Sequence, residues 1–182
     1  MISDKSLYTA FKEGDLSSFE EIVIRHRHSL VYFLIQYVNT YENAEDIAQE
    51  VFAYIYLNPD QYNDEYSLKT YIFMIGKRRA IDMIRKLSKY QIVELEETLV
   101  TDRLSLDDHI FKEEQIATLR AYINQLKPSD REVITLIDLN GFSLKEAAFI
   151  LKKSVTATKV LSHRAKKRLK QKMIEGGYTY EV

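Results

Sequence analysis

The chain has 182 residues, 46 % of them apolar, with 26 basic and 27 acidic side chains and no cysteine. That is enough apolar material for one medium or two small packed domains, so disorder over most of the chain is excluded, as are disulfides, thiolate metal sites and cysteine nucleophiles, which fits a cytoplasmic setting. Five glycines and two prolines are too few for a turn-rich barrel or for glycine-rich phosphate loops, and neither a signal peptide nor an 18-residue apolar run is visible, so the expectation is a mostly helical protein without membrane insertion.

In chain order, residues 19–38 place Phe19, Ile22, Val23, Leu30, Phe33, Leu34, Tyr37 and Val38 near the three-or-four spacing of an amphipathic helix. A second helix is expected from a cap at Asn43, with Glu45 and Asp46 at its positive end, to Asn58-Pro59. Its packing face is Ile47, Val51, Tyr54 and Ile55, and Asp46, Gln49, Glu50 and Ala53 fall on the opposite arc. After the polar loop 58–67, Ser67 caps a third helix running to about Leu87, whose outward stripe holds Tyr71, Arg78 and Arg85 at steps of seven. A flat ring flanked by guanidinium groups suits single-stranded DNA, since a base can stack on the ring while the cations meet phosphates.

Residues 90–114 read as an acidic linker with a short helical turn. A second domain opens with Ile116, Leu119, Ile123 and Leu126, restarts at a capping box Ser129-x-x-Glu132, and restarts again after Gly141 at Ser143-x-x-Glu146. Residues 143–173 form two helices joined by a tight turn: Leu144, Ala147, Ala148 and Leu151 pack the first, and Leu161, Ala165, Leu169 and Met173 pack the second, which Ser154 caps. The opposite arc of the second helix gathers Thr156, Lys159, Val160, His163, Arg164 and Lys167. That is the disposition of a helix-turn-helix, whose second helix meets base edges in the major groove, with Lys166, Arg168 and Lys170 available for phosphates.

Charge follows the same division. Residues 1–66 carry a net −8, 67–89 carry +6, 90–114 carry −6, 115–146 are neutral and 147–182 carry +7. Two basic blocks in a chain that is neutral overall point to two nucleic-acid footprints. The fold class expected is therefore all-α: two small helical domains, 1–89 and 115–182, joined by the acidic linker 90–114, the second domain a helix-turn-helix.

Gly141-Phe142-Ser143-Leu144-Lys145-Glu146-Ala147-Ala148, with Ile150-Leu151, Ser154-Val155, Lys159 and His163 to Leu169, resembles the promoter-reading domain of bacterial RNA polymerase sigma factors of the extracytoplasmic-function group. Lys152-Lys153 stands where that family usually has Gly-Ile, and Ala157-Thr158 where it has Thr-Val. Ala44-Glu45-Asp46 with Gln49-Glu50-Val51-Phe52 resembles the family's polymerase-docking segment. Tyr71-Ile72 with Ile75 to Asp82 and Arg85-Lys86 resembles its −10 reading helix, although Tyr71 replaces a common tryptophan and Arg78 a common asparagine.

The resemblance implies a promoter-specificity subunit without catalytic chemistry or cofactor. Asp46, Gln49 and Glu50 would dock on core RNA polymerase. Tyr62, Asn63, Tyr66, Tyr71, Lys77, Arg78 and Arg85 would hold the melted −10 strand, with the loop 61–66 capturing an unstacked base. Ser154, Thr156, Lys159, Val160, His163, Arg164 and Lys167 would read −35 duplex, and an anti-sigma factor would cover these surfaces. Two alternatives stand beside it: a helix-turn-helix regulator acting without polymerase, and a metal-dependent hydrolase built on Glu45, Asp46, Glu50 and His26 or His28. The latter lacks the His-Glu-x-x-His pattern.

Overall fold

The computed structural model describes residues 2–90 and 118–178, with backbone alone at 89 and 90. Among these residues every regular element is a helix, and the chain divides into two compact units. The expected linker from residue 91 onward, its helical turn, and Ile116 lie outside the described residues.

The N-terminal unit begins with a helix the sequence reading did not anticipate, α1 (Asp4–Lys12), capped by Ser3 and burying Leu7, Tyr8 and Phe11. Next, α2 (Leu16–Val38) starts at Asp15, whose carboxylate accepts from the Ser17 amide at 3.0 Å, and stops at Asn39 in the left-handed conformation, φ 59°. The following helix, α3 (Tyr41–Leu57), is capped by Thr40 rather than Asn43. Asn43 sits three residues into the helix and donates its backbone N–H to the Thr40 hydroxyl at 3.2 Å. Pro59 opens a single 3₁₀ turn, Pro59–Gln61, and α4 (Leu68–Tyr90) begins where Ser67 accepts from the Thr70 amide at 3.2 Å, as expected of its cap.

The core of this unit lies around α2, which packs against α1, α3 and α4. Ile22, Leu30, Phe33 and Leu34 of α2 are buried, as are Val51 and Ile55 of α3 and Ile72 and Phe73 of α4, with the Phe33 and Phe73 ring centroids 5.2 Å apart. Truncating a buried phenylalanine such as Phe33 to alanine costs about 3–5 kcal/mol. Gly76 lets α4 approach α2 closely, since a Cβ there would stand 2.9 Å from Leu30 Cδ1.

The C-terminal unit is helical over 118–124, designated α5. Pro128 opens α6 (Pro128–Ile134) at its first position. No side chain caps it, so the expected Ser129-Glu132 capping box does not form. The helix runs on into a π turn, Thr135–Leu139. Gly141 at φ +71° breaks the chain, and the Ser143-Glu146 capping box forms as expected, with the Glu146 amide 3.2 Å from Ser143 Oγ and the Ser143 amide 3.0 Å from Glu146 Oε2. It starts α7 (Leu144–Leu151). Lys152 then takes a left-handed conformation, φ 53°, the backbone for which glycine is the usual choice. Ser154 caps α8 (Val155–Glu175) through the Ala157 amide at 3.1 Å.

The buried stripe of α8 is Thr158, Ser162, Ala165 and Met173, with Leu161 and Leu169 only half-buried at its edge. The expected strict four-residue stripe fails because each i+4 step advances 40° around a straight helix, so burial must alternate steps of three and four. Small Thr158 and Ser162 face the contact, and the Thr158 hydroxyl returns to the Ser154 carbonyl at 3.0 Å.

Candidate nucleic-acid interface

In the C-terminal unit the outward arc of α8 stands clear. Thr156, Lys159, Val160, His163, Arg164 and Lys167 are all exposed. Ser154 is exposed too, with its hydroxyl oxygen engaged as the helix cap. The helix's cations divide into two sets. At opposite edges of the packed stripe, Arg168 Nη1 donates to both oxygens of the buried Asp130 at 2.9 and 2.7 Å, and Lys166 pairs with Asp138 at 2.7 Å. These two side chains are thus engaged within the unit while remaining about half exposed. Lys159, Arg164 and Lys167 have no such partner among the described residues.

In the N-terminal unit α3 presents Asp46, Gln49 and Ala53 to solvent. Glu50 is exposed but engaged: Arg79 of α4 donates to it at 2.6 Å, and the same guanidinium lies 5.5 Å from the Tyr54 ring centroid. Glu45 is buried and accepts from Arg27 at 2.6 Å. His26 is buried against Asp4 at 2.6 Å, which ties α1 to α2, while His28 is exposed, so the two histidines do not converge.

The loop before α4 and the stripe along it are partly internal. Tyr62 is half-buried, donates to the Tyr66 carbonyl at 2.8 Å, and packs its ring 5.0 Å from Tyr8 and 5.4 Å from Tyr71. Tyr66 is half-buried, while Asn63 is exposed with its Oδ1 accepting from the Glu65 amide at 3.3 Å. Tyr71 is only half-exposed. Burial first, then Tyr54, raises its phenol, so the outward stripe read from the spacing of seven holds for Arg78 and Arg85 but not for Tyr71. Asp82 lies between those two arginines, 4.0 Å from Arg78 and 3.8 Å from Arg85. Lys77 is half-buried. Two participants in this surface escaped the sequence reading as individuals, Arg79 and Tyr8; the first had only its place in a basic run as a signal, the second only its three- and four-residue spacing to Lys5 and Lys12.

The family models for sigma-70 region 2 and sigma-70 region 4 match residues 22–90 and 116–169, together more than half of the chain. The chain belongs to the sigma-70 family. It falls in the extracytoplasmic-function group. It is 27 % identical over 172 residues to the ECF sigma factor SigW of Bacillus subtilis, covering 89 % of this chain and 92 % of SigW. It is also 27 % identical to SigM of the same organism, over 84 % of this chain and 93 % of SigM. Among solved structures, CnrH in complex with the cytosolic domain of CnrY shares the fold at a TM-score of 0.67 and 20 % identity, covering 96 % of this chain and 99 % of CnrH. RpoE of Bartonella quintana, in complex with the anti-sigma factor NepR, does so at 0.64 and 23 %, covering 87 % and 98 %.

The factor is thus a polymerase-binding transcription initiation factor, and its region 2 is what a regulator acting without polymerase would not need. No helix among the described residues is long and apolar enough to cross a membrane.

Proposed function

We propose that this factor acts as a non-catalytic, cytoplasmic promoter-specificity subunit with its tasks distributed over three surfaces. The outer face of α3, with Asp46, Gln49 and Glu50, docks on core RNA polymerase. The 61–66 loop and α4, with Tyr62, Asn63, Tyr66, Tyr71, Lys77, Arg78 and Arg85, hold the melted −10 strand. The outward arc of α8, from Ser154 to Lys167, reads the −35 duplex. In this proposal the two domains are 1–89 and 115–182, joined by the acidic linker 90–114.

The observation that carries this reading is the division of cations on α8. Acids within the unit engage Arg168 and Lys166, while Lys159, Arg164 and Lys167 face solvent beside the small apolar Val160. Lysine and arginine in that position donate to guanine O6 and N7, and valine can touch a thymine methyl. At −10, separating strands costs about 1.4 kcal/mol per step, and stacking on aromatic rings returns roughly 1–3 kcal/mol per captured base. Melting a short stretch therefore lies within reach of a loop that captures one or two bases. RpoE is solved with the anti-sigma factor NepR, which supports a partner of the same kind here, covering the docking and DNA-reading faces.

Run-off transcription with core enzyme on promoter variants tests the assignment. Lys159→Ala and Arg164→Ala should each cost about 1–3 kcal/mol of discrimination at −35 positions. Equal loss on every −35 sequence would demote both residues to phosphate contacts.

A further inference from the structure

Helix α1 precedes the matched region 2, which begins at residue 22, yet it holds the 58–66 loop at three points. Tyr8 Oη donates to the Pro59 carbonyl at 2.9 Å. Lys12 pairs with Asp60 at 2.6 Å, and Lys5 pairs with Asp64 at 2.6 Å, where the backbone is left-handed at φ 51°. Lys5, Tyr8 and Lys12 stand at i, i+3 and i+7, so one face of a short helix supplies all three. The Tyr8 ring also meets the Tyr62 ring edge-on at 5.0 Å, and Tyr62 in turn lies against Tyr71 of α4. Burial first, then Tyr71, Asp60 and Tyr62, pushes the Tyr8 phenol up to about 12.

We infer that α1 is a positioning element for −10 recognition, with Tyr8 the positioning residue that fixes the Pro59 end of the loop and the Tyr62 ring before DNA arrives. The inference rests on the reading that the 61–66 loop captures a base of the −10 strand. Its physical basis is preorganisation: a loop already ordered gives up less conformational freedom when it takes hold of a base, so its discrimination between bases is sharper. Lys5 and Lys12 act at the loop's exposed side by holding Asp64 and Asp60, and Tyr8 acts from within.

Holoenzyme made from the full chain and core polymerase is assayed for open-complex formation on templates carrying single substitutions across −10 and, separately, across −35. Tyr8→Phe deletes one hydroxyl and keeps the ring. It should change the ratio between preferred and substituted −10 templates by about three- to tenfold, the size expected for one hydrogen bond, with −35 ratios unchanged. Lys12→Glu, on an exposed side chain, should shift the same −10 ratios, and adding Asp60→Lys should return them toward wild type.

A −10 profile identical to wild type in both Tyr8→Phe and Lys12→Glu overturns the inference, as does an equal loss at −10 and −35 accompanied by a lower melting temperature. Asn63→Ala separates the two layers of argument. If it alters the −10 profile while Tyr8→Phe and Lys12→Glu do not, only the role of α1 falls. If it too leaves the profile unchanged, the loop assignment falls and takes the inference with it.

Discussion

Arg168→Ala should unfold the C-terminal unit more easily and leave −35 reading intact, the reverse of what its place in a basic run suggests. The Asp130 side chain is 1 % exposed and Arg168 is 46 % exposed, with one guanidinium nitrogen meeting both carboxylate oxygens at 2.9 and 2.7 Å. A hydrogen bond to a charged group is worth roughly 1.5–3 kcal/mol. Asp130 also lies in the first turn of α6, where the helix dipole shelters its charge, and solvent screens the half-exposed arginine. The loss should therefore stay below the 3–5 kcal/mol seen for fully buried pairs, at about 2 kcal/mol. For a small unit this lowers the melting temperature by about 8–16 °C. Thermal unfolding of the full chain followed by circular dichroism measures it, and discrimination between −35 sequences measured well below the transition should match wild type. Arg168→Lys should recover most of the loss, because a single ammonium can also meet both oxygens. A melting temperature within about 3 °C of wild type, or −35 discrimination lost at a temperature where the variant is folded, would refute the reasoning.

Asp46→Lys should weaken binding to core polymerase about tenfold, the scale of a rim charge reversed in a complementary interface; titration of labelled core enzyme reads it, and unchanged affinity removes Asp46 from the docking face. Burial holds the His26 imidazole below its ordinary value, against the pull of Asp4 and with Lys69 and Arg25 adding to the lowering. The unfolded chain therefore takes up the proton first as pH falls, so the contribution is complete above about 6.5 and is lost as pH drops toward the folded value. Urea midpoints should fall between pH 7 and pH 5 with a slope that His26→Gln flattens, and an equal slope in both proteins would exclude His26 as its source. Ser143→Ala removes the reciprocal cap of α7 and should cost about 1 kcal/mol in denaturant unfolding, while Ser129→Ala, which caps nothing, should cost far less.

Much of the architecture could be read before folding because it rests on local chemistry. Ser143, Ser154 and Ser67 cap their helices as their spacing requires, and Gly141 breaks the chain where a positive φ is needed. The failures share a different cause. Thr40 and Asn43 are both good caps three residues apart, and what decides between them is Asn39, whose left-handed turn ends α2 one residue before Thr40. Helix α1 was invisible because its three buried residues, Leu7, Tyr8 and Phe11, are diluted by charge over too short a stretch for a period to show. Tyr71 has the spacing of an outward residue, yet Tyr54 and Tyr62 reach it from α3 and the preceding loop. No pattern along α4 alone carries that information.

The candidate site shows the same limit in electrostatic form. Charge runs give the amount of positive charge on a segment but not the direction in which it acts. On α8 the direction is decided by two acids from the segment 115–146, whose net charge is zero: Asp130, buried at the start of α6, and Asp138 in the π turn. By taking up Arg168 and Lys166 they leave the field of the helix concentrated on the arc of Lys159, Arg164 and Lys167. A uniformly cationic helix would be drawn to phosphate in any rotation about its axis, and phosphates carry no sequence information. In the proposed scheme, neutralising the cations at both edges of the packed stripe from within favours the orientation that turns Val160, Lys159 and Arg164 toward base edges. On that proposal the neutral segment contributes to −35 reading without touching DNA.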